Sequence, residues 1–194
     1  MTARGNPMPD AAAFPPAGPA LIDPFGRRVT YLRLSVTDRC DLRCSYCLPE
    51  GFKGFEEPEH WLTFDEIERL LGAFARLGVA RVRLTGGEPL LRRNIAGLAH
   101  RIAALPGITD LSLSTNATQL DRHARALKAA GVTRLNVSLD SLQQARVEKI
   151  NGRDVLAKVM AGLAAAQDAG FSPIKLNMVA LAGSNDDEID EMVA

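Results

Sequence analysis

From Tyr31 onward the spacing of apolar residues switches between two periods. Tyr31-Leu-Arg-Leu-Ser-Val-Thr37 alternates strictly, and so do stretches within Arg81–Thr85, Asp110–Asn116, Arg134–Asp140 and Lys175–Leu181. A period of two marks a strand with two unlike faces. Between these runs the spacing turns helical. Phe64, Ile67, Leu70, Leu71 and Phe74 form one stripe, opened by the capping box Thr63-Phe-Asp-Glu66 and stopped by Gly78. Further helices are predicted from about Asn94 to Leu105, from Leu120 to Ala130, and from Asp154 to Ala169 after a shorter one. Gly183-Ser-Asn185 is expected to cap an acidic final helix.

Strand and helix alternate throughout, which demands parallel strands joined by right-handed crossovers. An internal repeat agrees. Ala75-Arg-Leu-Gly-Val-Ala-Arg-Val-Arg-Leu84 resembles Lys128-Ala-Ala-Gly-Val-Thr-Arg-Leu-Asn-Val137, and a weaker copy runs from Asp168 to Met178. Each copy joins a helix end, a glycine turn and a strand.

Parallel strands packed on both faces read as continuous apolar runs. These do not. Leu32, Leu34 and Val36 alternate with Arg33, Ser35 and Thr37, and the same holds for Arg83 and Thr85, Ser112 and Ser114, Asn136 and Ser138, and Lys175 and Asn177 in the later strands. One face suits helices; the other is polar on every strand. The pattern predicts a barrel or half-barrel with a polar lumen, more open than an eightfold barrel filled with branched apolar residues. Arg33, Arg83 and Lys175 would place cations in that lumen. Two readings stand: internal pairing with Asp140 and Glu88, or a bound anion gripped by guanidinium forks. Gly86-Gly-Glu-Pro89 lies where ligands bind in parallel α/β folds. Its glycines would let a ligand approach the backbone, and Glu88 would accept from a ligand amine.

Composition acts mostly by exclusion. The chain has 194 residues, 46% hydrophobic and 24% charged, with net charge zero, which suits one soluble domain and argues against binding nucleic acid by bulk charge. No apolar run approaches the roughly 20 residues of a membrane span. Residues 1–24 are Ala/Pro-rich and read as a disordered leader, not a signal peptide. Cytoplasmic residence is the expectation.

All three cysteines, Cys40, Cys44 and Cys47, fall in one C-x3-C-x2-C loop after the first strand. Such spacing suits a metal site better than a disulfide framework. Free thiols, a zinc site closed by His60, His100 or His123, and an iron–sulfur cluster with one iron open to an outside ligand are the competing readings. Arg39 and Arg43 would moderate the charge of a thiolate-bound cluster.

The cysteine loop with Tyr46 before its last cysteine, together with Gly86-Gly-Glu-Pro89, resembles the two signatures of the radical S-adenosylmethionine (SAM) superfamily. Tyr31–Cys40, Val82–Arg93, Leu135–Leu142 and Lys175–Met178 are similar, more closely, to the GTP 3′,8-cyclase family of molybdenum-cofactor biosynthesis. That resemblance implies a (β/α)6-type partial barrel over residues 25–194. Five parallel strands are present, while a sixth strand and a C-terminal extension are missing, so the chain is expected to be an N-terminal fragment. It implies a [4Fe–4S] cluster on Cys40, Cys44 and Cys47, and a second cluster on the missing part. Reductive cleavage of SAM would give a 5′-deoxyadenosyl radical that abstracts the ribose 3′ hydrogen of GTP, and the substrate radical then attacks C8. Tyr46, Gly87 and Ser138 correspond to SAM contacts. Arg33, Arg83, Ser114 and Lys175 correspond to GTP contacts. Ser114 stands where the family has threonine, and Ala117 where it has glycine, a change expected to alter that loop's backbone. An electron-donor protein and a downstream pterin-forming enzyme are implied partners; a homodimer is allowed, and neither nucleic acid nor a membrane is expected. Another radical SAM enzyme, acting on peptides or activating a protein, and a non-enzymatic metal-binding module are the alternatives.

Overall fold

The structure, a computed structural model, describes residues 19–47, 51–52 and 61–193. Most of the expected leader, most of the loop with Gly54 and Pro58, and His60 lie outside these residues. Five strands, β1 (Tyr31–Ser35), β2 (Arg81–Thr85), β3 (Asp110–Thr115), β4 (Arg134–Ser138) and β5 (Lys175–Asn177), form one sheet in the order of the sequence. All four pairings are parallel. A doubly wound sheet reverses its strand order at a switch point. This one never does, so each crossover lies on the same face and the sheet rolls toward a barrel.

The crossovers are α1 (Phe64–Arg76), α2 (Ile95–Ala103), α3 (Leu120–Ala129), and the pair α4 (Gln144–Asn151) and α5 (Leu156–Asp168); a short α6 (Ile189–Val193) follows β5. Helix α1 begins as predicted: Glu66 N–H donates to the Thr63 hydroxyl, and the Glu66 carboxylate accepts from Thr63 N–H at 2.8 Å. The outward side chains of the central strands, Val82, Leu84, Leu111, Leu113, Leu135 and Val137, are buried against Ile67, Leu71, Leu98, Ile102, Leu120 and Leu127. Helices α3 and α5 pack closely because α5 carries Gly162. A methyl there would lie 2.6 Å from the carbonyl oxygen of Ala117. Before β1, an antiparallel bridge pairs Ile22 with Arg28, and Leu21 N–H reaches the carbonyl of Leu77 at the end of α1.

Two readings near the end of the chain differ from expectation. Strand β5 was expected to run to Leu181 but ends at Asn177. Past it, side chains replace the ladder. Val179 N–H donates to Asp140 Oδ1 at 3.0 Å, and Leu181 N–H to Asn185 Oδ1 at 2.7 Å. Asn185 stands at the N-cap position of the 3-10 turn Asp186–Glu188, but its side chain makes no capping hydrogen bond. Fully buried, it donates to the carbonyls of Asp140 (2.6 Å) and Val179 (3.0 Å), sewing the exit of β5 to that of β4.

Candidate functional site

The cysteine loop rises from the C-terminal end of β1 and is held by the exits of three other strands and the end of α4. First, the β1–β2 ladder continues beyond the strands. Val36 N–H donates to Thr85 O (2.9 Å), Gly87 N–H to Thr37 O (2.8 Å) and Glu88 N–H to Arg39 O (2.7 Å). This corrects the role expected of the glycines. A Cβ on Gly86 or on Gly87 would stand 2.3 Å from the carbonyl oxygen of Thr37 or Arg39, so the close approach that demands glycine is made by the cysteine loop itself. Gly87 nevertheless remains exposed toward the rim.

Glu88 is corrected as well. It is 1% exposed and faces inward. Its carboxylate accepts from Leu90 N–H (3.0 Å), the Thr115 hydroxyl (2.7 Å) and Asn116 N–H (2.7 Å), joining the exits of β2 and β3. Burial pushes its carboxyl up to about 7, and the three donors offset only part of that. Its bonding positions are taken by the protein, not by a ligand amine.

From β3, Asn116 and Thr118 grip Asp41: Nδ2 of Asn116 lies 2.8 Å from Oδ1, and the Thr118 hydroxyl 2.6 Å from Oδ2. From the end of α4, Arg43 N–H and Ser45 N–H donate to the carbonyls of Asn151 and Ile150, both at 2.9 Å, and the Cys44 thiol lies 3.5 Å from Asn151 Oδ1. From β4, Asp140 accepts from the Tyr46 hydroxyl at 2.8 Å. Burial, and then that carboxylate, push the Tyr46 phenol above its ordinary range. The Arg43 guanidinium donates to the carbonyls of Cys40 and Leu42, bracing the loop from within.

Cys40 and Cys44 are half-buried and Cys47 is exposed, all three as free thiols. Burial raises the Cys40 thiol and pushes that of Cys44 to about 11, where Asp140 and the other two cysteines add to the effect. The three sulfurs therefore share one electrostatic neighbourhood, and any metal group they hold must displace protons. Among the described residues, no group of three or more His, Cys, Asp or Glu side chains closes on a single ion. His100 is exposed in the last turn of α2. His123 sits on α3, where burial lowers it and its charged neighbours are Asp121 and Arg122. Neither is placed as a fourth zinc ligand. Three soft thiolates on one braced loop fit an iron–sulfur cluster with one iron left open.

The lumen face carries the expected cations. Arg33 stands opposite Arg83 in the β1–β2 register, and Ser114, Asn136 and Lys175 form a row across β3, β4 and β5. Among the described residues no ion pair involves Arg33, Arg83 or Lys175. Asp140 binds Tyr46 and Val179 N–H instead, and Glu88 is engaged at β3, so internal pairing does not neutralise these cations. Arg83 lies over the Tyr31 ring, 5.4 Å from its centre, and its Nε is 3.4 Å from the Ser112 hydroxyl. Ser138 is exposed at the end of β4.

The same alternation holds residues that the sequence reading passed over. Tyr31 and Arg81 share the lumen face, and the Tyr31 hydroxyl and Arg81 Nε are buried with no partner among the described residues. Arg134 shares that face too and pairs with Asp110. Asn116 and Asp41 carried a weaker signal: Asn-Ala-Thr just after a strand is an Asx-turn pattern, and Thr118 N–H does donate to Asn116 Oδ1 at 3.0 Å. In that turn Ala117 adopts φ 61°, a left-handed backbone that favours glycine.

Comparison with known proteins agrees with this geometry. The chain is 51% identical over 175 residues to a GTP 3′,8-cyclase of Hydrogenovibrio crunogenus, covering 90% of this chain and 53% of that protein. It is 52% identical over 173 residues to GTP 3′,8-cyclase 2 of Pseudomonas aeruginosa, covering 89% and 52%. The chain thus spans about half the length of these relatives. Among solved structures, Streptococcus suis SuiB bound to S-adenosylmethionine superposes with a TM-score of 0.68 at 22% identity, over 84% of this chain and 37% of that one. TYW1 with a lysine–pyruvate adduct gives 0.61 at 17% identity, over 81% and 58%. At such identities the likeness is one of fold. The Radical SAM superfamily profile matches residues 34–194, from the second half of β1 to the end of the chain. The chain belongs to the radical SAM superfamily.

Proposed function

We propose that this chain carries the radical SAM reaction of a GTP 3′,8-cyclase. The observation that carries the reading is the meeting of a three-cysteine loop with lumen cations, Arg33, Arg83 and Lys175, that have no ion-pair partner among the described residues. The cyclase name of relatives about half identical to it supports GTP as the anion. Cys40, Cys44 and Cys47 would hold the [4Fe–4S] cluster. When bound, cluster and SAM together supply one-electron cleavage and a carbon radical able to abstract hydrogen. The protein's own residues do the rest. Tyr46, fixed by Asp140, with Gly87 and Ser138 on the rim, would position SAM above the sheet. Arg33, Arg83 and Lys175 would grip the triphosphate as charge-assisted donors, with Ser114 adding a neutral hydrogen bond. All three cysteines lie in the one loop, so a second cluster would need ligands from elsewhere. An electron-donor protein, a pterin-forming enzyme taking the product, and cytoplasmic residence belong to the same reading.

Anaerobic reconstitution should load about four iron atoms per chain, the content of one cubane cluster. Cys44→Ser should lose the iron and SAM cleavage together. In calorimetry, Arg83→Ala and Lys175→Ala should each weaken GTP binding about tenfold or more, the effect of losing a charged hydrogen bond worth about 1.5–3 kcal/mol. Unchanged GTP affinity in both variants would refute GTP as the lumen ligand. Iron retained by Cys44→Ser would refute the cluster assignment.

A further inference from the structure

The segment just after β3 touches the first cysteine, and no SAM or GTP contact has been placed on it. The Asn116 amide has a defined orientation. Its Oδ1 accepts from Thr118 N–H at 3.0 Å, while the single hydrogen of the Thr118 hydroxyl goes to Asp41 Oδ2 at 2.6 Å, so Nδ2 must face the other way. There one hydrogen goes to Asp41 Oδ1 at 2.8 Å, and Nδ2 lies 4.0 Å from Cys40 Sγ. A second donor, Leu42 N–H, meets the same sulfur at 3.5 Å. The backbone of Asn116 is itself pinned: its N–H donates to buried Glu88, and the following residue holds φ 61°. Such bracing gives a hydrogen-bond donor one fixed aim.

We propose that Asn116 is a positioning residue for Cys40: it holds Asp41 in place and presents a side-chain N–H to the Cys40 sulfur, and so raises the reduction potential of a cluster ligated there. The inference rests on the reading of Cys40, Cys44 and Cys47 as cluster ligands. Reduction adds negative charge to a thiolate-bound cluster, and a donor aimed at a ligand sulfur favours the more negative state. The Thr118 side chain acts one step further out, by holding Asp41, the other partner of the Asn116 amide.

The test is the midpoint potential of the full chain, reconstituted anaerobically with iron and sulfide and titrated under electron paramagnetic resonance. At the wild-type midpoint, Asn116→Ala should lower the ratio of reduced to oxidised cluster about tenfold, equivalent to about 59 mV for one electron. Asn116→Asp, which replaces the donor with a second carboxylate beside the sulfur, should shift it further in the same direction. Thr118→Val should move it the same way by less, and Thr118→Ser should restore the wild-type value. A purely structural role would lower thermal stability and leave the potential alone. Wild-type potentials in Asn116→Ala and Thr118→Val, at wild-type iron content, would overturn the inference and leave the cluster reading intact. Should Asn116→Ala hold no iron, Thr118→Val decides, because it retains the Asn116 side chain. Wild-type protein that takes up no iron would overturn the cluster reading, and this inference with it.

Discussion

Two buried glutamates fasten the rim of the sheet, one on each side, and they are held in opposite ways. Glu88 joins β2 to β3 beside the cysteine loop. It is 1% exposed and accepts from two backbone N–H groups and the Thr115 hydroxyl, with no cation within ion-pair distance among the described residues. Glu188 joins the exit of β4 to the turn before α6. It is 2% exposed and accepts from Leu142 N–H and the Ser141 hydroxyl, and it also meets the Arg146 guanidinium at 2.6 Å. Burial pushes both carboxyls up. At Glu188 the Leu142 N–H, the Ser141 hydroxyl and Arg146 outweigh burial, and the carboxyl is held below its ordinary value. At Glu88 burial wins, and the carboxyl sits at about 7. Both are hidden from solvent, but Glu88 lies far deeper among protein atoms than Glu188, so burial dominates at Glu88, while at Glu188 the backbone donor, the hydroxyl and the cation together prevail. The difference suits the two places. Glu88 lies close enough to Cys40 to raise its thiol, and a carboxyl that is half neutral near pH 7 adds less negative charge beside three sulfurs.

Removing Glu88 should have the largest effect. Glu88→Ala leaves three donors unpaired over a small cavity and should cost about 3–5 kcal/mol of stability in urea unfolding. A loss below about 1 kcal/mol would mean that the β2–β3 rim does not depend on it.

The next effect is in pH. Between the ordinary glutamate value of 4.5 and about 7 the folded state holds a proton on Glu88 that the unfolded chain has released. Its contribution is therefore full below 4.5 and falls as pH rises through that window, by roughly 3 kcal/mol for a shift of this size. Glu88→Gln should abolish this fall, while costing about 1–3 kcal/mol at pH 5 because its amide N–H faces another donor. Unfolding free energies at pH 5 and pH 8 distinguish the two. An identical pH slope in Glu88→Gln would show that another group carries the dependence.

Glu188 should behave in the opposite sense. Its carboxyl is held low, so its contribution is present above the ordinary value and lost as pH falls through the folded value. Arg146→Met should bring the Glu188 carboxyl up toward its ordinary value, with the loss of thermal stability larger at pH 7 than at pH 4. An equal loss at both would show that Arg146 does not help to hold the Glu188 carboxyl low.

Ala117, in the turn that Glu88 pins, should give the smallest effect. Glycine would relieve the cost of positive φ, about 1–2 kcal/mol, but would lose a buried methyl, about 0.8 kcal/mol, and gain unfolded-state freedom, about 0.5–1 kcal/mol. Ala117→Gly should therefore change stability by less than about 1 kcal/mol in thermal denaturation. A larger loss would show that the Ala117 methyl, packed near Gly162, matters more than the backbone.

Much of the fold was legible because it depends on spacing within a few residues. The period of two located five strands, the period near 3.6 located the main helices, and Thr63 with Glu66 marked a helix start that the structure keeps. Alternation placed Arg33, Arg83 and Lys175 on the lumen face. Applied one residue earlier in two strands, it would also have found Tyr31 and Arg81. Cysteine spacing identified the loop. None of this required knowing which strand neighbours which.

The sequence by itself therefore determined the elements, the polar face and the sulfur donors. Only the tertiary structure decided what each polar side chain at the rim binds. Cys44 and Asn151 are 107 residues apart, Tyr46 and Asp140 94, and Asn116 and Asp41 75. Partners at such separations are set by strand register and by where the crossovers return the chain, which local propensity does not encode. For that reason Glu88 read as a ligand contact and proved to be an internal brace. The glycines before it read as room for a ligand and proved to be room for the cysteine loop. Asn185 read as a cap and does hold the N-cap position, but its side chain proved to be the stitch between the exits of β4 and β5. In each case the residue type announced a hydrogen-bonding task, and the fold chose the partner because burial left each donor and acceptor only one within reach.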